Sequence, residues 1–292
     1  MNQTSGRELA PETSNPLAMA GIEFIEYSTS KPQALGQVLE TMGFRPIARH
    51  RSREVLLYRQ GGMNVIVNAH TSEQSRATRP AETPIIAAIA LRVRDAAAAY
   101  RHAIDRGAWV VPSNVEVMEL NIPAIHGVGS SRIYFVDRYC EFSIYDVDFV
   151  LNPGVDPKPP ALTGLHWFGI VQYIGNDRTA DWTEFYTKLF GFHVLPDETR
   201  YGILPKGRIL VSPCGSFHLQ LIEPMPGIFE AEPTEMLQRV GLGTPDVLAT
   251  VAALKQRGVS FVESQGVHTE SRGALTQSLL GGVMFELVHH GQ

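Results

Sequence analysis

Short strand-like runs, each followed by an apolar stripe at helical spacing and then by glycine, recur four times along the chain. In the first copy residues 22–27 alternate as a half-buried strand does, and Ser28-Thr29-Ser30 leads into a helix with Pro32 in its first turn. Leu35, Val38, Leu39 and Met42 follow at helical spacing, and Gly43 offers a left-handed cap before Phe44. Residues 55–58 and 63–67 read as strands about a Gly61-Gly62 turn. The second copy runs from the apolar stretch 85–93 through a helix holding Ala99, Tyr100 and Ala103 to Gly107. The third opens near Leu165 and places Trp182, Phe185, Tyr186 and Leu189 ahead of Gly191, with Asp181 and Glu184 spaced as a capping pair. In the fourth, Thr244 and Pro245 open a helix carrying Leu248, Val251, Ala252 and Leu254, which stops at Gly258. Strand-like runs at 64–68, 141–150, 216–222 and 283–289 close the four copies.

A βαβββ unit has one apolar sheet face that it cannot bury alone, so units in pairs are expected. Four of them predict an α+β chain with two domains, 19–151 and 162–292, joined by the Pro- and Gly-rich linker 152–161 and preceded by a polar tail, 1–18. Repetition alone also fits a duplicated ferredoxin-like fold. The composition, 44% hydrophobic and 19% charged over 292 residues, suits a sizeable core. A net charge of -5 supplies no general attraction for nucleic acid or an anionic membrane. The two cysteines, Cys140 and Cys214, are far apart, which suits a reducing compartment, and without a leader-like or spanning apolar run the expected location is cytoplasmic.

An ordered string of motifs adds chemistry. Residues 21–26 (Gly-Ile-Glu-Phe-Ile-Glu), Met42-Gly43-Phe44, His50-Arg51-Ser52, Leu57-Tyr58-Arg59-Gln60-Gly61, residues 119–125, Gly127-Val128-Gly129 and Asp146-Val147-Asp148-Phe149 follow one another. Together they resemble the 4-hydroxyphenylpyruvate dioxygenase family of the vicinal-oxygen-chelate superfamily, over nearly all of the chain from Gly21 to Gly291. The resemblance implies four βαβββ modules paired into two open β-barrels, with a structural N-terminal barrel and the active site in the C-terminal one. It also implies Fe(II) held by a His-His-Glu triad, with an aromatic 2-oxo acid such as 4-hydroxyphenylpyruvate and dioxygen as partners, and a homodimer is a reasonable expectation. Such a triad occupies one face of the metal and leaves adjacent positions open for substrate and dioxygen.

His166 matches the first family ligand and Glu286 the carboxylate ligand, and a carboxylate within an apolar strand needs a partner in any case. At the second ligand the chain has Arg239, a permanent cation and no ligand for iron. Arg239 is open to three readings: facing solvent on a displaced strand, pairing with Glu286, or clamping a substrate carboxylate. Aligning the closing strands of the third and fourth units sets Gln220 against Glu286, giving His166, Gln220 and Glu286 as a replacement metal set, for iron or another divalent cation. Gln277 and Phe285 match family pocket residues, whereas Gly207 stands where a serine is expected and the segment between Gln265 and Ser271 is short. His218 shares the strand face of Gln220, which gives it a route to the pocket, but is expected first as a strand-end or core histidine; His268, His289 and His290 are expected as solvent-facing ones. The resulting expectation is an Fe(II)-dependent oxygenase. The alternatives are a metal-free enzyme with Arg239 polarising an oxyanion and Glu286 as base, or a non-catalytic aromatic-acid binder.

Overall fold

The computed structural model describes residues 15–69, 82–112, 120–199, 201–202, 207–223, 234–262 and 273–291. The first half contains β1 (Gly21–Ser28), α1 (Pro32–Thr41), β2 (Arg45–His50), β3 (Val55–Gln60), β4 (Met63–Asn68) and β5 (Ile85–Arg92). It continues with α2 (Ala96–Asp105), β6 (Ala124–His126), β7 (Arg132–Val136), a short α3 (Ile144–Asp148) and β8 (Phe149–Leu151). The second half has β9 (His166–Tyr173), α4 (Thr179–Phe190), β10 (His193–Val194), β11 (Arg208–Val211) and β12 (His218–Ile222). Then come β13 (Met236–Thr244), α5 (Val247–Gln256), β14 (Gly273–Leu275) and β15 (Phe285–His289).

Each half makes one sheet, in the orders β6-β7-β5-β1-β4-β3-β2-β8 and β10-β11-β12-β9-β13-β15-β14. The recurrence read from the sequence is visible at the centre of each. The opening strands β1 and β5 run antiparallel, each flanked by a parallel closing strand, β4 or β7, and β9 and β13 repeat this with β12 and β15. Local chemistry sets the helix ends: Asp95 and Asp246 cap α2 and α5 by accepting from the Ala98 and Ala249 amides, and Gly191 ends α4 in the left-handed conformation.

Four expectations change. Helix α4 starts at Thr179, so Asp181 lies inside its first turn and bonds to Arg178, while Glu184 reaches Lys188; neither makes a capping pair. Residues 144–148 of the expected strand 141–150 are helix α3, because Ser143 and Asp146 form a capping box, and the strand that closes the second unit is β7 instead. In the expected tail, Leu17 is buried in the core and Asn15 bonds to Met19; residues 1–14 lie outside the described ones. The Pro-rich connection is tied down, the Pro157 carbonyl accepting from Arg59 and the Pro159 carbonyl from the Gly61 amide.

One face of both sheets, together with α1, α2, α4 and α5, contributes to a single continuous core. Phe44 meets Trp167 and Phe135 meets Phe190 across the two halves, at ring separations of 6.4 and 6.3 Å. Arg257 at the end of α5 donates to the Thr41 and Glu40 carbonyls at the C-terminus of α1. The other face of the first sheet is filled by a smaller apolar cluster that includes Phe24, Ile47, Leu57, Ile66 and Ile144. The corresponding face of the second sheet is a cup with polar side chains inside.

Candidate active site

The cup is built by register. Strands β12, β9, β13 and β15 set His218, Gly169, Gly241 and Glu286 in one line across the sheet. The two central members are glycines, so the line is open between its ends, and a cavity of about 30 Å³ lies there, lined by Phe168, Tyr201, His218, Gln220 and Glu286 among others. That volume holds about one or two waters and no aromatic ring. A β-bulge explains why Phe168 faces the cavity: β13 passes directly from Gly241 to Leu242 while β9 inserts Phe168 between their partners Gly169 and Trp167. The Trp167 ring thereby stays in the core.

Glu286 and Arg239 are both buried, and the Arg239 Nε donates to the Glu286 Oε2 at 3.4 Å. Strand alternation puts Arg239 on the face shared by Gly241 and Gly243, just past a second bulge at Gln238. Of the three readings open for Arg239, the ion pair is the one realised. Arg239 does not itself line the cavity; Glu286 does. The other carboxylate oxygen lies close against Gly202, where an added Cβ would sit 2.0 Å from Oε1.

The expected ligand set is only partly gathered. Gln220 and Glu286 face the cavity, but His166 is not among its lining residues. The His166 Nε2 lies 3.0 Å from the His290 Nδ1, and its Nδ1 lies 3.0 Å from the Gly164 carbonyl oxygen. A carbonyl only accepts, so the His166 Nδ1 donates to Gly164, and in the neutral imidazole the Nε2 then accepts from the His290 Nδ1. The lone pair that would bind a metal is therefore occupied. Among the described residues no three His, Cys, Asp or Glu side chains form a group that would hold a metal ion. With a guanidinium beside the carboxylate and the imidazole nitrogen engaged, the donor set does not fit Fe(II).

Two further expectations are corrected. Phe285 is buried in the core on the opposite face of β15 from Glu286, as strand alternation requires, and does not line the cavity. Gln277 is exposed, with its amide directed at the Phe261 carbonyl. Conversely, His218, for which the pocket is the second reading, and His290, expected at the surface, belong to the cup. The His218 ring stacks on Phe168 with centroids 4.6 Å apart and packs against Tyr201 at 4.8 Å. Burial pushes its pKa down to about 4, with the neighbouring His290 adding to the shift, against a raising hydrogen bond to the Phe168 carbonyl. His290, half-buried, lies 5.3 Å from Phe168; burial, then His166 and His289, lower its pKa. The strand period could have found His290, since it continues the line of Glu286 and Val288. His268 lies outside the described residues.

Comparison with known proteins agrees with this architecture. Residues 13–150 match the family model "Hydroxyphenylpyruvate dioxygenase, HPPD, N-terminal", and residues 164–286 match the Glyoxalase/Bleomycin resistance protein/Dioxygenase superfamily. A 4-hydroxyphenylpyruvate dioxygenase of Pseudomonas sp. (strain P.J. 874) is 34% identical over 265 residues, which cover 85% of this chain and 72% of that protein. Hemolysin VllY of Vibrio vulnificus is 33% identical over 267 residues, covering 85% of this chain and 73% of the relative. In fold, a mutant of 4-hydroxymandelate synthase from Streptomyces coelicolor aligns with a TM-score of 0.74 at 18% identity, over 94% of this chain and 95% of that one. With the paired-module sheets and the cup in place, the chain belongs to the 4-hydroxyphenylpyruvate dioxygenase family of enzymes, with the glyoxalase-type, or vicinal-oxygen-chelate, fold.

Proposed function

We propose that this enzyme acts on an aromatic 2-oxo acid by proton transfer in the cup of its second sheet, with Glu286 as the base and without resident iron. The observation that carries the proposal is the buried Arg239–Glu286 pair at the edge of the cavity. It keeps a carboxylate in a largely dehydrated site, facing a space walled by Phe168 and Tyr201, against which an aryl ring would stack. The family's dioxygenase relatives support a 2-oxo acid as the substrate class.

In a 2-oxo acid the carbon next to the carbonyl is acidic. Glu286 would take a proton from it, the electron pair of the C–H bond would form the carbon–carbon double bond, and the π pair of the carbonyl would move to its oxygen. The Gln220 amide, which also faces the cavity, would donate to that oxygen as negative charge develops. Return of the proton to oxygen gives the enol, so the atoms balance without oxidant or reductant. Arg239, behind Glu286, would hold the charge of the carboxylate in place. Because the cavity is about 30 Å³, admission of an aryl acid requires Tyr201 to move off Phe168 and His218.

The presence of His166 and Glu286 at two family ligand positions favours a second reading, the Fe(II)-dependent oxygenase, for which Arg239 would have to leave the carboxylate. Keto–enol interconversion of 4-hydroxyphenylpyruvate followed by ultraviolet absorbance, run beside an oxygen electrode with and without added Fe(II), separates the two. Enolisation lost in Glu286→Gln and insensitive to chelator supports proton transfer. Fe(II)-dependent oxygen uptake by the wild type overturns it in favour of the oxygenase.

A further inference from the structure

We infer that this chain excludes a divalent metal through two side chains, Arg239 and His290, which occupy the groups that would otherwise bind it. The inference deepens the proton-transfer reading, because it names the residues that make the site metal-free.

The two blocks act on different ligand atoms. Arg239 brings a cation without a lone pair to within 3.4 Å of Glu286 Oε2, so a dication there would meet like charge and would have to displace a buried ion pair. His290 acts on His166. Because the Gly164 carbonyl fixes a proton of His166 on Nδ1, the neutral imidazole, the form that binds metal, has its lone pair on Nε2, and His290 donates into it at 3.0 Å. The backbone holds His290 there, since its amide donates to the Thr244 carbonyl at 2.8 Å, next to Gly243, whose missing side chain makes room for the His166 ring. Both opening strands, β9 and β13, nevertheless retain the register that sets residues 166 and 239 on the cup face. The scaffold of a three-ligand site is therefore kept while its chemistry is closed.

The test is Co(II) binding to the full chain, freed of metal and kept anaerobic, by equilibrium dialysis and visible absorption. Wild type and Arg239→Met are expected to take up no stoichiometric Co(II). Arg239→His is expected to bind one Co(II) per chain with visible ligand-field bands, and adding His290→Ala should tighten binding by up to roughly 10-fold, the worth of the one hydrogen bond to His166 that the metal no longer displaces. Stoichiometric Co(II) on the wild type overturns the inference without any variant, and its absence supports it. Arg239→His with His290→Ala that keeps the wild-type circular dichroism yet binds no Co(II) also overturns it. Enolisation by the wild type is measured separately, so failure of the catalytic reading leaves a different record from failure of the metal block.

Discussion

The Arg239–Glu286 pair makes a quantitative claim on stability. Both side chains are buried, at 3% and 5% exposure, and the closest atoms are 3.4 Å apart. At an effective dielectric of about 20 the Coulomb attraction is about 5 kcal/mol before desolvation is subtracted. Removing the cation alone takes the opposite charge from a buried carboxylate, so Arg239→Met is expected to destabilise the protein by about 3–5 kcal/mol at neutral pH, despite keeping much of the apolar stem. Removing both charges, with Arg239→Met and Glu286→Leu together, should leave stability within about 1 kcal/mol of wild type or raise it, because the desolvation cost goes with the charges. The assay is urea unfolding of the wild type, both single variants and the double variant, followed by far-ultraviolet circular dichroism, with slopes compared to verify a common unfolding reaction. A cost below about 1 kcal/mol for Arg239→Met, or a coupling of that size in the cycle, would place the pair among the screened surface pairs and refute the reasoning.

Three more outcomes follow from the same region and its supports. His218 has its folded pKa lowered to about 4 from 6.5, so the unfolded chain binds more protons between those values; stability present above pH 6.5 is lost as pH falls towards 4, by on the order of 3 kcal/mol. Denaturation measured across that window should show this loss shrink in His218→Gln, and an unchanged pH profile would contradict it. Gly243→Ala would put a Cβ 2.3 Å from the His166 Nε2, so the ring must turn away from His290 at a cost of about 1–3 kcal/mol, visible as changed imidazole nitrogen shifts; unshifted signals would contradict this. Arg257→Ala removes two hydrogen bonds to the end of α1 and should cost about 1–2 kcal/mol by thermal or urea unfolding, with no loss at all counting against it.

Much of the architecture was legible because its units repeat. Helices α1, α2 and α5 and strands β1, β4 and β5 lie where periodicity and glycine stops place them, since each buries one face and ends at a residue suited to a cap. Residues 141–150 misled because an apolar, aromatic run is compatible with a strand until Ser143 and Asp146 satisfy each other's ends and favour helix. The cup is readable at Glu286, where the cost of burying a carboxylate demands a partner, and Arg239 is a cation able to supply it. The family match sets Phe285 in the pocket against the period of its own strand, whereas His290, two steps beyond Val288, keeps that period and lies on the cup face. What no local pattern encodes is the bulge at Phe168, which depends on the pairing of β9 with β13, and the His166–His290 contact, which joins residues 124 apart.

The continuous core between the two sheets has a consequence for how the chain is made. When the first sheet has left the ribosome, Phe44 and Phe135 still lack Trp167 and Phe190, which are synthesised later. The nascent first half therefore waits with an uncovered apolar face until α4 arrives, and the contact of α1 with Arg257 forms only after α5 has been made. Contacts of such long sequence separation slow folding and leave the early half prone to association with other chains. A fragment ending at the Pro-rich connection should accordingly need a chaperone or the missing half supplied in trans, making the second sheet the folding partner of the first as well as the holder of the cup.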